Sequence, residues 1–399
     1  EYNLFDGTNF GIEGNSTALG EFEVIQGAEA PTRNEAIVLG VESVTKTIRG
    51  QMWDGMSWTP LSLNDLGIAN ADNYQGFDVA YESNSGDAVI IWNDAGTLKT
   101  STWNGTSWTA PASVAAYTGA EAKQIELAAS PNSDEMVLII SDINKDEFAL
   151  VWDGNSWGNQ VALPAAARQD HTDISVVYEQ SSGDAMIVYA KDLTEVYYQT
   201  WNGTSWSGES TITAPTGPAG KAQWTSLAAD PNSDRIGLAV LTSSEDAWLA
   251  VWDGDAWNEA DKLSATIDTN SHTYRNIAIA FENGTGELLA TYGTEALTVS
   301  YRTWTPGGGW SAEQVGPSLG GDKATSMTLD TDPRDNRIML SVLDEGNDVN
   351  YVLWDGTSWG TPSEQEIDAG QSDAQPFVFV WDQGPFNERP TDISLTAST

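Results

Sequence analysis

Short segments in which apolar and polar residues alternate recur along the whole chain, and turn residues separate them. In the clearest unit these segments are Asp173 to Tyr178, Ala185 to Tyr189, Glu195 to Trp201 and Trp206 to Ile212. Alternation with a period of two residues is typical of β-strands that bury one face. No stretch of a dozen residues has apolar positions at the helical period of 3.6, so the sequence predicts an all-β protein.

These segments belong to a repeat of about 50 residues that is marked by two aromatic residues around a turn. One copy is Trp201 to Trp206, which reads WNGTSW. The first aromatic residue of each copy stands at position 5, 53, 103, 152, 201, 252, 304 or 354. Four short strands in a repeat of this length are typical of one blade of a β-propeller.

The aromatic motif reads as a hairpin, because Asn-Gly or Asp-Gly between strands favours a two-residue turn. With Asn202 and Gly203 as that turn, Trp201 pairs with Thr204, and the rings of Trp201 and Trp206 are diagonal neighbours on one face of the sheet. We predict that the rings pack between neighbouring sheets, because buried aromatic side chains dominate core energetics. Stacking platforms for sugars are the alternative.

The two chain ends each supply part of a further unit. The N-terminus has an aromatic hairpin, Phe5 to Phe10, without a first strand before it, whereas Pro376 to Trp381 reads as a first strand without a hairpin after it. Residues 1–386 are therefore predicted to form one eight-bladed β-propeller of four-stranded blades, with the eighth blade shared by both ends. Seven blades with separate terminal strands are the alternative. Residues 387–399 are predicted to be a closing strand or a linker towards a following domain.

The units alternate in type, so that they pair into copies of about 100 residues. In one type the second strand carries an aromatic residue where the other type carries an aliphatic one, and these aromatic residues are Trp92, Tyr189 and Tyr292. Tyr and Trp carry polar atoms that need partners when buried. We predict ligand binding near them, and the interlocking of large and small residues is the alternative. A second candidate layer, at one mouth of the predicted channel, consists of Tyr74, His171 and Tyr274.

One loop has oxygen ligands at alternate positions, Asp142, Asn144 and Asp146, as calcium loops do. It lacks the Gly and the distal Glu that complete such a loop. No cofactor is predicted to be required, and calcium is a candidate ligand.

Two copies of the hairpin, Gly154 to Gly158 and Gly356 to Gly360, match the Gly-x-Ser-x-Gly pattern of serine hydrolases. That pattern needs a strand, a sharp turn and a helix around the Ser. We interpret both matches as by-products of the hairpin repeat and predict that the chain is not an enzyme.

The net charge is −41, from 58 acidic and 17 basic residues. Such a charge disfavours nucleic acid and anionic membrane surfaces as partners and suits a saline environment outside the cell. No apolar run approaches the 18 or so residues of a membrane helix, so no membrane insertion is predicted. The chain has no cysteine, which removes disulfides and thiolate metal sites. A monomer is expected.

The run Val196 to Glu209 resembles the repeat of bacterial propeller lectins, in which an aromatic strand and a Trp-x-Gly-x-x-Trp turn recur in each blade. The tail Asn387 to Thr396 resembles the opening of cadherin-like repeats in bacterial surface proteins. These resemblances imply a non-catalytic extracellular binding or adhesion module, with a glycan or protein ligand on a cell or matrix surface. A purely structural spacer and a glycan-acting hydrolase or lyase are the alternatives.

Overall fold

The computed structural model describes residues 1–16, 20–61, 63, 66–67, 75–163, 174–191, 193–263, 266–268, 274–367, 369, 375–381 and, for the backbone, 392–396. These residues fall into two compact units, Glu1–Leu163 with Asp368–Thr399, and Pro164–Ile367. All regular structure in the described residues is β-strand, as predicted. None of it is a helix that could span a membrane.

The first unit contains a terminal sheet and three four-stranded blades, numbered 1 to 3, in which consecutive strands pair antiparallel. The terminal sheet has the order β1 (Tyr2–Phe5), β32 (Asp392–Thr396), β31 (Phe377–Val380). Blade 1 consists of β2 (Phe22–Glu29), β3 (Ala36–Glu42), β4 (Ile48–Trp53) and β5 (Trp58–Pro60). Blade 2 consists of β6 (Phe77–Tyr81), β7 (Ala88–Asp94), β8 (Thr97–Trp103) and β9 (Ala112–Ser113). Blade 3 consists of β10 (Ala122–Ala129), β11 (Met136–Asp142), β12 (Glu147–Trp152) and β13 (Trp157–Leu163).

The second unit contains blades 4 to 7, built in the same way. Blade 4 consists of β14 (Ile174–Tyr178), β15 (Ala185–Ala190), β16 (Val196–Trp201) and β17 (Ser210–Ile212). Blade 5 consists of β18 (Ala222–Ala229), β19 (Ile236–Thr242), β20 (Ala247–Trp252) and β21 (Trp257–Lys262). Blade 6 consists of β22 (Ile277–Phe281), β23 (Leu288–Tyr292), β24 (Thr298–Thr305) and an outer strand in two parts, β25 (Gly309–Trp310) and β26 (Gln314–Ser318). Blade 7 consists of β27 (Ala324–Thr331), β28 (Ile338–Asp344), β29 (Val349–Trp354) and β30 (Ser363–Glu366).

The prediction of eight four-stranded blades is wrong, because the described residues form seven such blades. Both chain ends do meet in one sheet, but that sheet has three strands. Its fourth strand would lie after Phe10, where only the isolated bridges Phe5↔Phe10 and Tyr2↔Gly14 form. The segment between them has exposed side chains and a glycine at each end, Gly11 and Gly14, and glycine in a strand weakens the ladder.

The second strand of each blade forms the core. In β11, for example, all seven residues of MVLIISD are buried. A strand that is covered on both faces reads as a nearly continuous apolar run instead of an alternation. Strand β28 has the same fully buried pattern. The outer strand is much less buried, since the residues of β21 are exposed or half-buried.

The aromatic hairpin has a different register from the predicted one. Trp201 pairs directly with Trp206, so four residues form the loop. Asn202 Oδ1 accepts hydrogen bonds from the backbone N–H groups of Thr204 and Ser205, at 3.1 and 2.9 Å, and within the loop only Gly203 has a positive φ, of 80°. A two-residue turn with positive φ at both central residues is therefore wrong.

The two rings of each motif lie on the same face, as predicted, and they are direct cross-strand neighbours. In six Trp pairs the ring centroids are 5.2 to 5.8 Å apart. Their contacts are with neighbouring sheets. Trp252 belongs to a cluster that includes residues of blade 4, and the half-buried Trp257 packs against that cluster. This confirms packing between sheets as a role of the motif.

Each even-numbered blade is joined to the next blade by a carboxylate. The Glu that follows its first strand accepts a hydrogen bond from an indole Nε1–H of the next blade, with donor–acceptor distances of 2.5 to 2.7 Å. The three pairs are Glu82 with Trp152, Glu179 with Trp252, and Glu282 with Trp354. The predicted alternation of the units thus corresponds to a repeated contact between sheets.

Stability is expected to depend on salt, because the net charge is −41. Self-repulsion destabilises a compact, highly charged chain, and electrolyte screens it. From about 10 mM to about 0.5 M NaCl the Debye length falls from about 30 Å to about 4 Å. We expect the melting temperature, followed by circular dichroism, to rise by a few degrees over this range. A flat or falling melting temperature would argue against a saline environment as the reason for the acidity.

Candidate functional site

The structure buries the aromatic residues that the sequence singled out. Trp92 is 1% exposed, and Tyr189 and Tyr292 are 0% exposed. Tyr274 of the second layer is also buried, at 4%. The other two members of that layer, Tyr74 and His171, lie outside the described residues. A ligand could not touch the three strand aromatics without moving their neighbours, so direct contact with a ligand stays a prediction.

Tyr189 lies beneath a polar cluster at the outer part of blade 4. Its hydroxyl donates a hydrogen bond to Glu209 Oε2 at 2.8 Å. Lys191 Nζ donates to Glu209 Oε1 at 2.6 Å and lies 4.1 Å from the ring centroid of Tyr197. Gln199 Nε2 also faces the Tyr189 hydroxyl, at 3.4 Å. The buried ring therefore connects through its hydroxyl to partly exposed charged groups.

Tyr292 has a corresponding position in blade 6. Burial raises the pKa of its hydroxyl, the Glu313 carboxylate raises that pKa further, and Arg302 lowers it. Arg302 is the equivalent of Gln199 in blade 4. Tyr189 pairs with Tyr197, and Gln199 comes two residues after Tyr197. In the same way Tyr292 pairs with Ser300, and Arg302 comes two residues after Ser300. Blades 4 and 6 thus carry variants of one polar cluster.

Arg302 forms the centre of a cluster that joins blades 5 and 6. Its Nη1 is 2.8 Å from Asp261 Oδ2 on β21, and its Nε donates to the Ser311 carbonyl oxygen at 2.7 Å. Its Cζ lies 5.6 Å from the ring centroid of the half-buried Trp310. We call Arg302, Trp310, Asp261 and Glu259 the Arg302–Trp310 site.

Glu259 orients both aromatic side chains of this hairpin. Its carboxylate accepts a hydrogen bond from Trp304 Nε1, and its backbone oxygen accepts one from Trp310 Nε1 at 2.9 Å. Glu259 has a φ of 50°, and the register between β20 and β21 shifts at this part of the strand. A β-bulge of this kind bends the strand and changes the direction of its side chains.

The Arg302–Trp310 site combines groups that suit polyhydroxylated ligands. The guanidinium of the buried Arg302 holds the Asp261 carboxylate in place, and that carboxylate offers acceptors to a ligand. A Trp ring adds an apolar face for the C–H groups of a ligand. Position-by-position comparison of the repeats could have identified Arg302, because its equivalents are Ser101 and Gln199. The sequence could not show that Asp261 and Glu259, on another blade, lie against it.

The loop predicted to bind calcium is capped by its own first residue. Asp142 Oδ1 accepts hydrogen bonds from the backbone N–H groups of Asn144 and Asp146, at 2.8 and 3.0 Å, and Oδ2 accepts one from Ala120 N at 2.8 Å. The side chains of Asn144 and Asp146 are exposed. Calcium binding at this loop stays a prediction.

Acidic side chains converge at the corresponding loop of blade 7. In the described part of the chain, carboxylate oxygens of Asp322, Asp344 and Asp348 lie within 4.8 Å of one another. Burial, with the nearby Asp348 and Asp322 carboxylates, raises the pKa of Asp344 to about 6. Oxygen ligands of this kind suit hard cations such as calcium, although the Asp344 carboxylate already accepts backbone hydrogen bonds from Gly346 and Asp348.

The two Gly-x-Ser-x-Gly matches lie in hairpin loops. Ser156 and Ser358 each donate their backbone N–H to the Asp that starts the loop, at 2.8 Å. Each match is flanked by strands, whereas the hydrolase motif requires a helix after the Ser. The interpretation of both matches as hairpin by-products is confirmed.

Stability should increase as the pH falls from about 8 to about 5.5. Burial raises the pKa of Asp78 from 3.8 to about 7, and it also raises the pKa values of Glu82, Glu179 and Glu282. A raised carboxyl pKa means that the folded state binds the proton more tightly, so stability falls as the pH rises through this range. Asp78→Asn should flatten the pH dependence of the melting temperature between about pH 8 and about 5.5, because an amide cannot take up the proton. An unchanged profile in this variant would show that Asp78 is not responsible.

Comparison with known proteins supports the architecture. No family model matches the chain, and no curated protein sequence matches it. The crystal structure of the BP39L lectin from Burkholderia pseudomallei superimposes with a TM-score of 0.60, at 11% identity, over 86% of this chain and 99% of that chain. This likeness shows a β-propeller fold. The seven four-stranded blades of the described residues are therefore propeller blades, as the repeat predicted.

Two further solved structures are more distant. The lectin of Aleuria aurantia, described as a six-bladed propeller with a fucose recognition mode, is 13% identical over 86% of this chain and 97% of that one, with a TM-score of 0.46. The SapL1 lectin in complex with alpha methyl fucoside is 13% identical over 84% and 94%, with a TM-score of 0.42.

Proposed function

We propose that this protein is a carbohydrate-binding module without catalytic activity and that it acts outside the cell. The observation that carries the proposal is the Arg302–Trp310 site, where a guanidinium, carboxylates and a half-buried indole ring lie together at the contact of two blades. The likeness to the BP39L lectin supports it, because a lectin also has this fold.

The geometry fits the surface of a sugar ring. Arg302 is held by Asp261 and by the Ser311 carbonyl oxygen, so its plane is fixed before a ligand arrives. Preorganised polar groups lose little conformational entropy on binding. Trp310 is fixed in the same way through its Nε1–H bond to Glu259. A sugar could place C–H groups on the ring and hydroxyl groups against the carboxylates.

A location outside the cell is supported by the charge alone. With 58 acidic residues distributed over the chain, the protein suits a saline medium in which electrolyte screens self-repulsion. A ligand on a cell or matrix surface is consistent with such a location.

A glycan array tests the proposal. The wild-type protein should bind a defined subset of immobilised glycans, and the free sugar should compete for that binding. Binding to no glycan, measured both with and without added calcium, would contradict the proposed function.

A further inference from the structure

The Arg302–Trp310 site carries more negative than positive charge. Asp261 and Glu259 belong to it, and Glu313 lies against the same buried Tyr292 that Arg302 approaches. Arg302 provides one positive charge against these three. The neighbouring lysine in the sequence, Lys262, is paired with Asp246 at 2.5 Å. When Glu313 is counted with the two carboxylates of the site, negative charges exceed positive ones by two, which disfavours acidic ligands.

The charged side chains of the site also differ in their accessibility to a ligand from solvent. The side chain of Arg302 is 9% exposed, whereas that of Asp261 is 49% exposed, and Glu259 is exposed. The guanidinium is therefore mainly an internal group that holds Asp261 and lies beside Trp310. A ligand that arrives from solvent meets carboxylate oxygens and part of an indole ring.

We propose that the Arg302–Trp310 site prefers saccharides that carry a free amino group, an inference that rests on the proposed function. A sugar ammonium group has three donors and no acceptor, which matches a surface of carboxylate acceptors. The half-buried indole ring of Trp310 adds an apolar face for the C–H groups of the sugar. The net charge of −41 draws cationic ligands towards the protein and repels acidic glycans.

A pair of disaccharides tests this preference. The β-1,4-linked disaccharide of glucosamine and its N,N′-diacetyl form have the same ring structure and differ in charge. Affinities should be measured by titration calorimetry at about pH 6, below the range in which free amino groups lose their proton. At low salt the free amine should bind at least tenfold more tightly than the acetylated form. The difference should shrink in about 0.5 M NaCl, because salt screens exposed charges.

Two variants distinguish binding at the Arg302–Trp310 site from general electrostatic attraction of the ligand to the acidic protein. Asp261→Asn removes a carboxylate of the site, whereas Asp255→Asn removes an exposed carboxylate at the tip of the β20–β21 hairpin and changes the net charge equally. Asp261→Asn should lower the preference for the free amine at least fivefold, and Asp255→Asn should leave it unchanged. An equal effect of both variants would overturn the inference. Equal or tighter binding of the acetylated disaccharide would also overturn it and would leave the proposed function intact, whereas binding of no saccharide would overturn both.

Discussion

Replacing Phe5 by alanine is expected to lower the free energy of unfolding by about 3–5 kcal/mol, the usual cost of truncating a buried Phe. Phe5 is 3% exposed in the terminal sheet. Its ring lies 4.9 Å from that of Phe10, 6.3 Å from that of Phe379 and 6.1 Å from that of Trp381. Residues from both chain ends would thus lose a shared contact. Urea denaturation and the melting temperature measure the effect.

Deletion of residues 1–12 should have a larger effect, because it also removes the ladder of β1 with β32 and the contacts of Tyr2 with Trp53 and Trp58. Ile12→Ala is the control, since Ile12 is 97% exposed and its truncation should change little. A deletion variant with the melting temperature of the wild type would show that the terminal sheet does not stabilise the fold.

Glu282→Ala is expected to cost about 1–3 kcal/mol, because it leaves a buried donor without its acceptor. Trp354 Nε1 donates to Glu282 Oε1 at 2.7 Å, and Thr285 Oγ1 donates to Oε2 at 2.6 Å. Glu282→Gln keeps an oxygen acceptor at nearly the same place and should cost less. Combining Glu282→Ala with Trp354→Phe gives the coupling energy of the pair. Strict additivity of the two single variants would mean that this contact between blades contributes nothing to stability.

The sequence predicted the strands well, because their alternation and turn residues are local features. The register of the aromatic hairpin could not be derived in the same way. The dipeptide Asn202-Gly203 favours a two-residue turn, but the Asn side chain caps a four-residue loop through the N–H groups of Thr204 and Ser205. Side chains of this type compete with backbone turns by bonding nearby N–H groups. Asn202 was thus compatible both with a two-residue turn and with the four-residue loop that the structure shows.

The prediction of eight blades depended on the two chain ends, where the repeat is least regular. Pairing of β1, β32 and β31 follows from the apolar pattern at Tyr2 to Phe5 and at Phe377 to Val380. The missing fourth strand does not follow from that pattern, since Phe10 retains its pairing with Phe5. The single aromatic pair Phe5–Phe10 forms one isolated β-bridge, and one bridge does not make a strand.

The candidate site was only partly predictable. Tyr292 was singled out because an aromatic residue replaces an aliphatic one in the alternate units, and the structure buries it where the charges of Glu313 and Arg302 act on its hydroxyl. The exposed and half-buried members of the site come from two blades, and one of them, Glu259, lies at a β-bulge with a φ of 50°. Arg302, Asp261 and Glu259 have no counterparts of the same type at the equivalent positions of the other blades, so the repeat gave no signal for this contact.

Comparing the glycan affinity of the wild type with that of Arg302→Gln and Trp310→Ala tests the central claim most directly. Gln is the residue that blade 4 has at the equivalent position, Gln199, so the first substitution suits the fold. Titration with the array glycan that binds the wild type most tightly should show at least tenfold weaker binding for each variant, about 1.4 kcal/mol. Val315→Ala, at a residue that is 75% exposed in the same blade, should bind like the wild type. Unchanged affinity in both site variants, with melting temperatures like that of the wild type, would contradict carbohydrate binding at the Arg302–Trp310 site.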